Sequence, residues 1–213
     1  KDFKDTESDQ KYGDLSEEVC RPLFTFVGRL TAQKGFDDLH DAVSRLLDED
    51  EQAGLWGLGN GDPRIVKKFQ ALAKKYKDRV CFIEGFSEFH ANQIFASGDF
   101  FLIPSQFEPC GLTDFMAQLK GNVPIVHRVG GLVKTIDGKY GFSYLGGADE
   151  LLTVMRRATQ VYRSAGKKQL RSIQRNALNN VLTHFTWDKV FQRKYLPLYE
   201  QVVKKAEPVL PYP

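Results

Sequence analysis

An α/β architecture built on one doubly wound, mostly parallel sheet is the fold class this sequence predicts. Short apolar runs of four or five residues recur between Leu23 and His127, bounded by turn residues and too short for helices. Most are followed by a segment whose apolar side chains repeat every three or four positions, as on an amphipathic helix. Such alternation implies right-handed crossovers and a sheet covered on both faces. From Glu150 onward the pattern is helical.

Leu23-Phe24-Thr25-Phe26-Val27 reads as the first strand, and Phe36, Leu39, Val43, Leu46 and Leu47 mark one face of the helix after it. Gly54 to Leu58 reads as the next strand, followed by the turn Gly59-Asn60-Gly61-Asp62-Pro63 and a helix carrying Ile65, Phe69 and Leu72. Val80 to Ile83 is a strand, then a helix runs through Ala91, Ile94 and Phe95. Phe100 to Ile103 and Val123 to His127 are two further strands. Between them, Phe115, Met116 and Leu119 are spaced like the inner face of a helix. Phe142-Ser143-Tyr144 reads as an edge strand. Helices are expected over 151–164, 168–184 and 187–205, the last interrupted at Pro197, with Trp187, Phe191, Tyr195 and Leu198 at near-helical intervals.

Residues 1–20 are polar and poor in large apolar groups, which reads as a tail or linker. Residues 21–205 are expected to form one domain and 206–213 an extended tail. With 213 residues, 42% hydrophobic and 27% charged, the chain can bury one substantial core. A net charge of +3 suits an anionic small ligand but is far from a nucleic-acid footprint. No apolar stretch is long enough to span a bilayer. Cys20, Cys81 and Cys110 share no close spacing, so reduced thiols are expected rather than a disulfide framework or a zinc site.

The most informative run is Pro104-Ser105-Gln106-Phe107-Glu108-Pro109-Cys110-Gly111-Leu112-Thr113. It places a carboxylate at a strand's carboxyl end, in the crevice where open α/β sheets bind ligands. The amides of Gly111, Leu112 and Thr113 are expected to bind phosphate or sugar oxygens. Gly28-Arg29-Leu30-Thr31-Ala32-Gln33-Lys34-Gly35 is a second strand-to-helix turn, whose Arg29 and Lys34 can converge on one phosphate pair. Gly130-Gly131-Leu132 is a third segment of the same kind. Asp48-Glu49-Asp50 formally matches an Asp-x-Asp metal motif but reads better as a solvated charge cluster, and the four histidines show no ligand spacing.

These three segments, in this order and spacing, resemble the donor-site signatures of bacterial glycogen synthases and plant starch synthases. The resemblance runs from about Pro22 to Tyr199. It implies the Rossmann-like C-terminal half of a two-domain GT-B glycosyltransferase, moving glucose from ADP-glucose to an α-1,4-glucan with retention and without a metal or other cofactor. By the same resemblance Arg29 and Lys34 hold the leaving diphosphate, and Glu108 acts at the donor glucose, the three taking catalytic roles. Gly130 and Gly131 join the substrate-binding set, and Phe86 stands where the family often stacks an aromatic near adenine; a core phenylalanine is the other reading. A cytoplasmic or plastid-stromal location is implied.

Two features depart from the family. The N-terminal Lys-x-Gly-Gly-Leu motif has no counterpart, so one wall of a GT-B cleft is missing and the chain alone is expected to be inactive. Locally, Lys134 stands where an acid is expected, and Asp114 replaces a frequent Gln. These changes motivate two alternatives: a non-catalytic glucan-binding or regulatory module, or a transferase of the same fold using UDP-glucose.

Overall fold

The computed structural model describes residues 9–16 and 21–205. Among these, one sheet contains β1 (Gln10–Tyr12), β2 (Leu23–Val27), β3 (Gly54–Gly59), β4 (Val80–Glu84), β5 (Phe100–Ile103), β6 (Val123–His127) and β7 (Phe142–Tyr144). Their order across the sheet is β1-β4-β3-β2-β5-β6-β7. Every pairing from β4 through β7 is parallel, and β1 joins β4 antiparallel. The crossover helices are α1 (Phe36–Glu49), α2 (Pro63–Lys75), α3 (Glu88–Ser97) and α4 (Thr113–Leu119), followed by α5 (Gly147–Arg163) and α6 (Lys168–His184).

The parallel strands β2 to β6 are predominantly apolar because both faces are covered. Alternate residues serve opposite sides. Phe24, Phe26, Phe82, Phe100 and Leu102 pack into the cluster formed with α1, α2 and α5. Phe101 and Ile103 pack on the other side with Phe95 of α3 and Ala117 of α4. Helix α1 buries Phe36, Leu39, Ala42, Val43, Leu46 and Leu47, the stripe its sequence predicts. Helix α2 begins with Asp62 capping the Arg64 amide and Pro63 in the first turn, and α3 with Ser87 accepting from the His90 amide.

Chain order reverses between β2 and β5. The chain leaves β2 towards β3 on one side and leaves β5 towards β6 on the other. The loops after these two adjacent strands therefore splay apart, opening the crevice that such a switch point creates.

The structure differs from the sequence expectation at Gln10–Tyr12 and in helix α4. Gln10–Tyr12, expected within a polar tail, is an edge strand whose partners on β4 are Glu84, Ile83 and Phe82; backbone pairing and the Tyr12 ring stacked on Phe82 hold it, and neither needs an apolar run in the sequence. Residues 1–8, 17–20 and 206–213, also expected as tails, lie outside the described residues. Helix α4 does not turn Met116 and Leu119 inward: both are about half exposed, and Asp114, Ala117 and Gln118 are buried instead. A small Ala117 lets this seven-residue helix lie close to the sheet, and its buried polar residues invert the hydropathy signal.

The chain divides into two compact units, Lys1–Leu178 and Asn179–Pro213, with the boundary inside α6. In the second unit, α7 (Trp187–Val190) runs through a π-helical segment, Phe191–Tyr195, into α8 (Leu196–Lys205). No break occurs at Pro197, because the wider π turn precedes it and relieves the clash a proline ring makes with the preceding turn. Ring contacts join Trp187 to Tyr195 and Tyr199 to both Phe191 and Tyr195, at 5.9–6.5 Å between centroids.

Candidate functional site

Each of the three glycine-containing segments leaves the carboxyl end of a strand: Gly28 to Gly35 after β2, Pro104 to Thr113 after β5, and Gly130 to Lys134 after β6. The first two are locked together. Gly35 adopts φ 71°, and a Cβ there would lie 2.7 Å from the Pro104 carbonyl carbon, so only glycine allows this approach. The Gln106 amide donates to the Gln33 carbonyl at 2.9 Å, and the Gln106 side chain donates to Asp38 at 2.8 Å.

This docking brings Lys34 and Glu108 into contact. Lys34 Nζ lies 2.6 Å from Glu108 Oε2, the two side chains being 33% and 17% exposed. The Ser105 hydroxyl donates to the same carboxylate oxygen at 3.2 Å. A hollow of about 340 Å³ opens beside the pair, walled by Gly28, Arg29, Lys34, Ser105, Glu108, Cys110 and Gly111 to Thr113, among others. The predicted cations, the carboxylate and the residues Gly111 to Thr113 thus line one cavity.

Arg29 is exposed and makes no hydrogen bond or ion pair among the described residues. It also lines an adjoining hollow of about 350 Å³ with Leu58, Gly59, Asn60, Gly85, Phe86 and Ala91. Phe86 is 84% exposed, so the core reading of this residue is corrected: its ring stands at the rim of the second hollow. The Phe86 amide donates at 3.1 Å to Asp9 Oδ1, and Asp9 Oδ2 lies 3.4 Å from His90 Nδ1. Sequence reasoning missed Asp9. It lies in a charged stretch with no local signal, and only the pairing of β1 with β4 carries it to this loop.

Gly130 and Gly131 line neither hollow; they stand behind the Glu108 loop. The Gly131 amide donates to the Glu108 carbonyl at 2.8 Å. A Cβ on Gly131 would lie 2.7 Å from Cys110 Cα, and one on Gly130 3.0 Å from the Glu108 carbonyl carbon. His127 reinforces the same loop, with Nδ1 3.0 Å from the Ser105 carbonyl and Nε2 2.8 Å from the Leu145 carbonyl.

The two local departures meet in space. Lys134 Nζ lies 3.4 Å from Asp114 Oδ1, and the Thr135 hydroxyl donates to Asp114 Oδ2 at 3.2 Å. Burial pushes the Asp114 carboxyl above its ordinary pKa, with the Lys134 ammonium and the Thr135 hydroxyl pulling it back.

The Asp-x-Asp segment is fully engaged elsewhere: Asp48 with Lys75 and Tyr76, Glu49 with Arg156, and Asp50 with Arg163. Among the described residues no group of three or more His, Cys, Asp or Glu side chains is placed to hold a metal ion. Among them, too, no helix is long and apolar enough to cross a membrane.

Residues 21–160, which carry strands β2 to β7 and the lining of both hollows, match the family model described as "Glycosyl transferases group 1". The chain belongs to this family. It is 36% identical over 194 residues to a glycogen synthase of Xanthomonas campestris pv. campestris (strain 8004), covering 90% of this chain and 39% of the relative. A glycogen synthase of Lactococcus lactis subsp. lactis (strain IL1403) is 35% identical over 190 residues, which covers 85% of this chain and 38% of that protein. The chain therefore spans about two fifths of these relatives' length. Among solved structures, the catalytic domain of starch synthase IV from Arabidopsis thaliana, bound to ADP and acarbose, superposes with a TM-score of 0.76 at 28% identity. That match covers 91% of this chain and 41% of the other. Anabaena HepE in complex with UDP and glucose shares the fold at 20% identity and a TM-score of 0.67, over 84% of this chain and 48% of that one. The mostly parallel sheet and its helices are accordingly those of the GT-B glycosyltransferases.

Proposed function

We propose that this chain forms the donor-binding part of a retaining hexosyltransferase of the glycogen and starch synthase type, with ADP-glucose as donor and an α-1,4-glucan as acceptor. The observation that carries the reading is the convergence of Arg29, Lys34 and Glu108 on one hollow at the switch point of the sheet. Relatives named glycogen synthase and a structural neighbour solved with ADP support it.

The chemistry follows from charge. When the bond from the anomeric carbon to the diphosphate oxygen breaks, negative charge grows on the leaving group. Arg29 and Lys34, with the Gly111, Leu112 and Thr113 amides, oppose that charge in a partly desolvated cavity. Glu108 faces the positive charge developing at the anomeric carbon and accepts from glucose hydroxyls. In the free chain Lys34 neutralises Glu108 at 2.6 Å; a bound diphosphate would compete for the same ammonium. The second hollow, with Phe86 at its rim, takes the nucleoside base, and Arg29 stands between the two. One wall does not hold donor and acceptor together, so transfer needs a second domain to complete the cleft.

Calorimetric titration of the chain with ADP and with UDP tests the reading. ADP is expected to bind measurably and more tightly than UDP. Lys34→Ala should reduce ADP binding by about 1.5–3 kcal/mol, the range for a charge-assisted hydrogen bond. No heat at millimolar ADP would overturn the donor assignment, and a preference for UDP would reassign the base. Adding a separately expressed partner domain and measuring glucose transfer distinguishes a donor half from a non-catalytic module.

A further inference from the structure

The geometry points to Lys134 and Asp114 as a positioning pair that aims the backbone amides of Gly111 and Leu112 into the donor hollow; this inference rests on the donor-site reading above. Lys134 Nζ donates to the Cys110 carbonyl at 2.6 Å and to the Gly111 carbonyl. Its charge is balanced by Asp114, which is fully buried, at 3.4 Å. The ammonium also sits 4.2 Å from the centre of the Phe115 ring, which fixes its remaining side.

The consequence comes from peptide geometry. In a trans peptide the carbonyl and the amide of one unit point in opposite directions. Drawing the Cys110 oxygen towards Lys134 turns the Gly111 N–H away from it, and drawing the Gly111 oxygen turns the Leu112 N–H away. Among the described residues neither of these amides has a protein acceptor. Cys110, Gly111 and Leu112 all line the hollow that holds Lys34 and Glu108. One cation behind the loop thus fixes two donors in front of it without touching a ligand.

The pairing also explains why the two departures occur together. A lysine without Asp114 would place an uncompensated charge behind the loop, and Asp114 without Lys134 would bury a carboxylate with neutral partners only, the Thr135 hydroxyl and the Phe115 amide. Gly111 adopts φ 67°, a left-handed conformation, and a Cβ there would lie 2.8 Å from Leu132 Cδ2 as well as 3.2 Å from Lys134 Nζ, so the turn favours glycine.

The test compares ADP and adenosine binding, by NMR titration of the full chain, for the native protein and the Lys134→Met and Asp114→Asn variants. Adenosine lacks the phosphates that the loop amides would meet. Lys134→Met is expected to weaken ADP by about tenfold or more and leave adenosine unchanged, with the Gly111 and Leu112 amide shifts on ADP addition diminished. Asp114→Asn gives a smaller loss of the same kind. If Lys134→Met does not fold, Lys134→Gln, which keeps an NH2 donor group but no charge, replaces it with the same expected sign. Unchanged ADP affinity, or equal loss of ADP and adenosine, overturns the positioning role. Failure of the native chain to bind ADP at all instead refutes the donor-site reading on which it rests.

Discussion

Gly131→Ala isolates how tightly the Glu108 loop must be held. A Cβ at this position would lie 2.7 Å from Cys110 Cα, with the Cys110 carbonyl nearer still. Non-bonded carbons settle at about 3.5–4.0 Å, so the Cys110 backbone must retreat by roughly 1 Å. That movement pulls the Cys110 carbonyl from Lys134 and strains the 2.8 Å bond from the Gly131 amide to Glu108. Overpacking of this kind costs about 1–3 kcal/mol of stability, and a misplacement of about 1 Å can cost on the order of a hundredfold in site function. The expected result is ADP affinity reduced by about tenfold to a hundredfold in calorimetry, with a modest fall in melting temperature. Gly121→Ala is the control: its φ of 79° disfavours alanine, but nothing lies within 4 Å of the new methyl and it lines neither hollow. Loss of stability without loss of ADP binding is expected there. Unaltered ADP affinity in Gly131→Ala would refute the argument that this glycine fixes the loop.

Further outcomes follow from other parts of the structure. Phe69 is wholly buried against the rings of Phe26, Phe36 and Phe82, and Phe69→Ala should cost about 3–5 kcal/mol in chemical denaturation. Burial, helped by the nearby Lys68 charge, lowers the His40 pKa below its ordinary 6.5. The unfolded chain then binds the extra proton first, so stability present above about pH 6.5 falls as pH drops through the lowered folded value. His40→Gln should flatten that slope in melting temperature against pH. Burial pushes the Cys81 thiol up to about 11, whereas Cys110 is exposed at the hollow. Peptide mapping after mild alkylation at pH 8 should find Cys110 modified and Cys81 spared, with ADP slowing the Cys110 reaction.

Most strands and helices were legible because buried parallel strands and amphipathic helices leave unmistakable periodicities. Lys34 and Glu108 were legible as a pair of loops at strand ends, since switch-point topology brings such loops together. What escaped was set by tertiary contact. The strand at Gln10–Tyr12 pairs with β4 through its backbone and offers one aromatic side chain, Tyr12, which stacks on Phe82; a single ring between polar residues leaves no alternating pattern. Met116 and Leu119 looked inward because α4 buries Asp114 and Gln118, the opposite of what hydropathy reports. Gly130 and Gly131 read as ligand contacts, yet they stand behind the loop, where close backbone packing requires them. A signal for the link between Asp114 and Lys134 did exist: two unusual residues of opposite charge, in segments leaving neighbouring strands.

Where a nucleoside diphosphate touches the molecule tests the donor-site assignment most directly. Amide-resolved NMR titration of the chain with ADP reads this directly. Shifts are predicted at Arg29, Lys34, Phe86, Glu108, Gly111 and Leu112, around the two adjoining hollows. Shifts confined to the separate lysine-lined hollow of Lys11, Lys67, Lys74 and Lys77, or none at all, would contradict it.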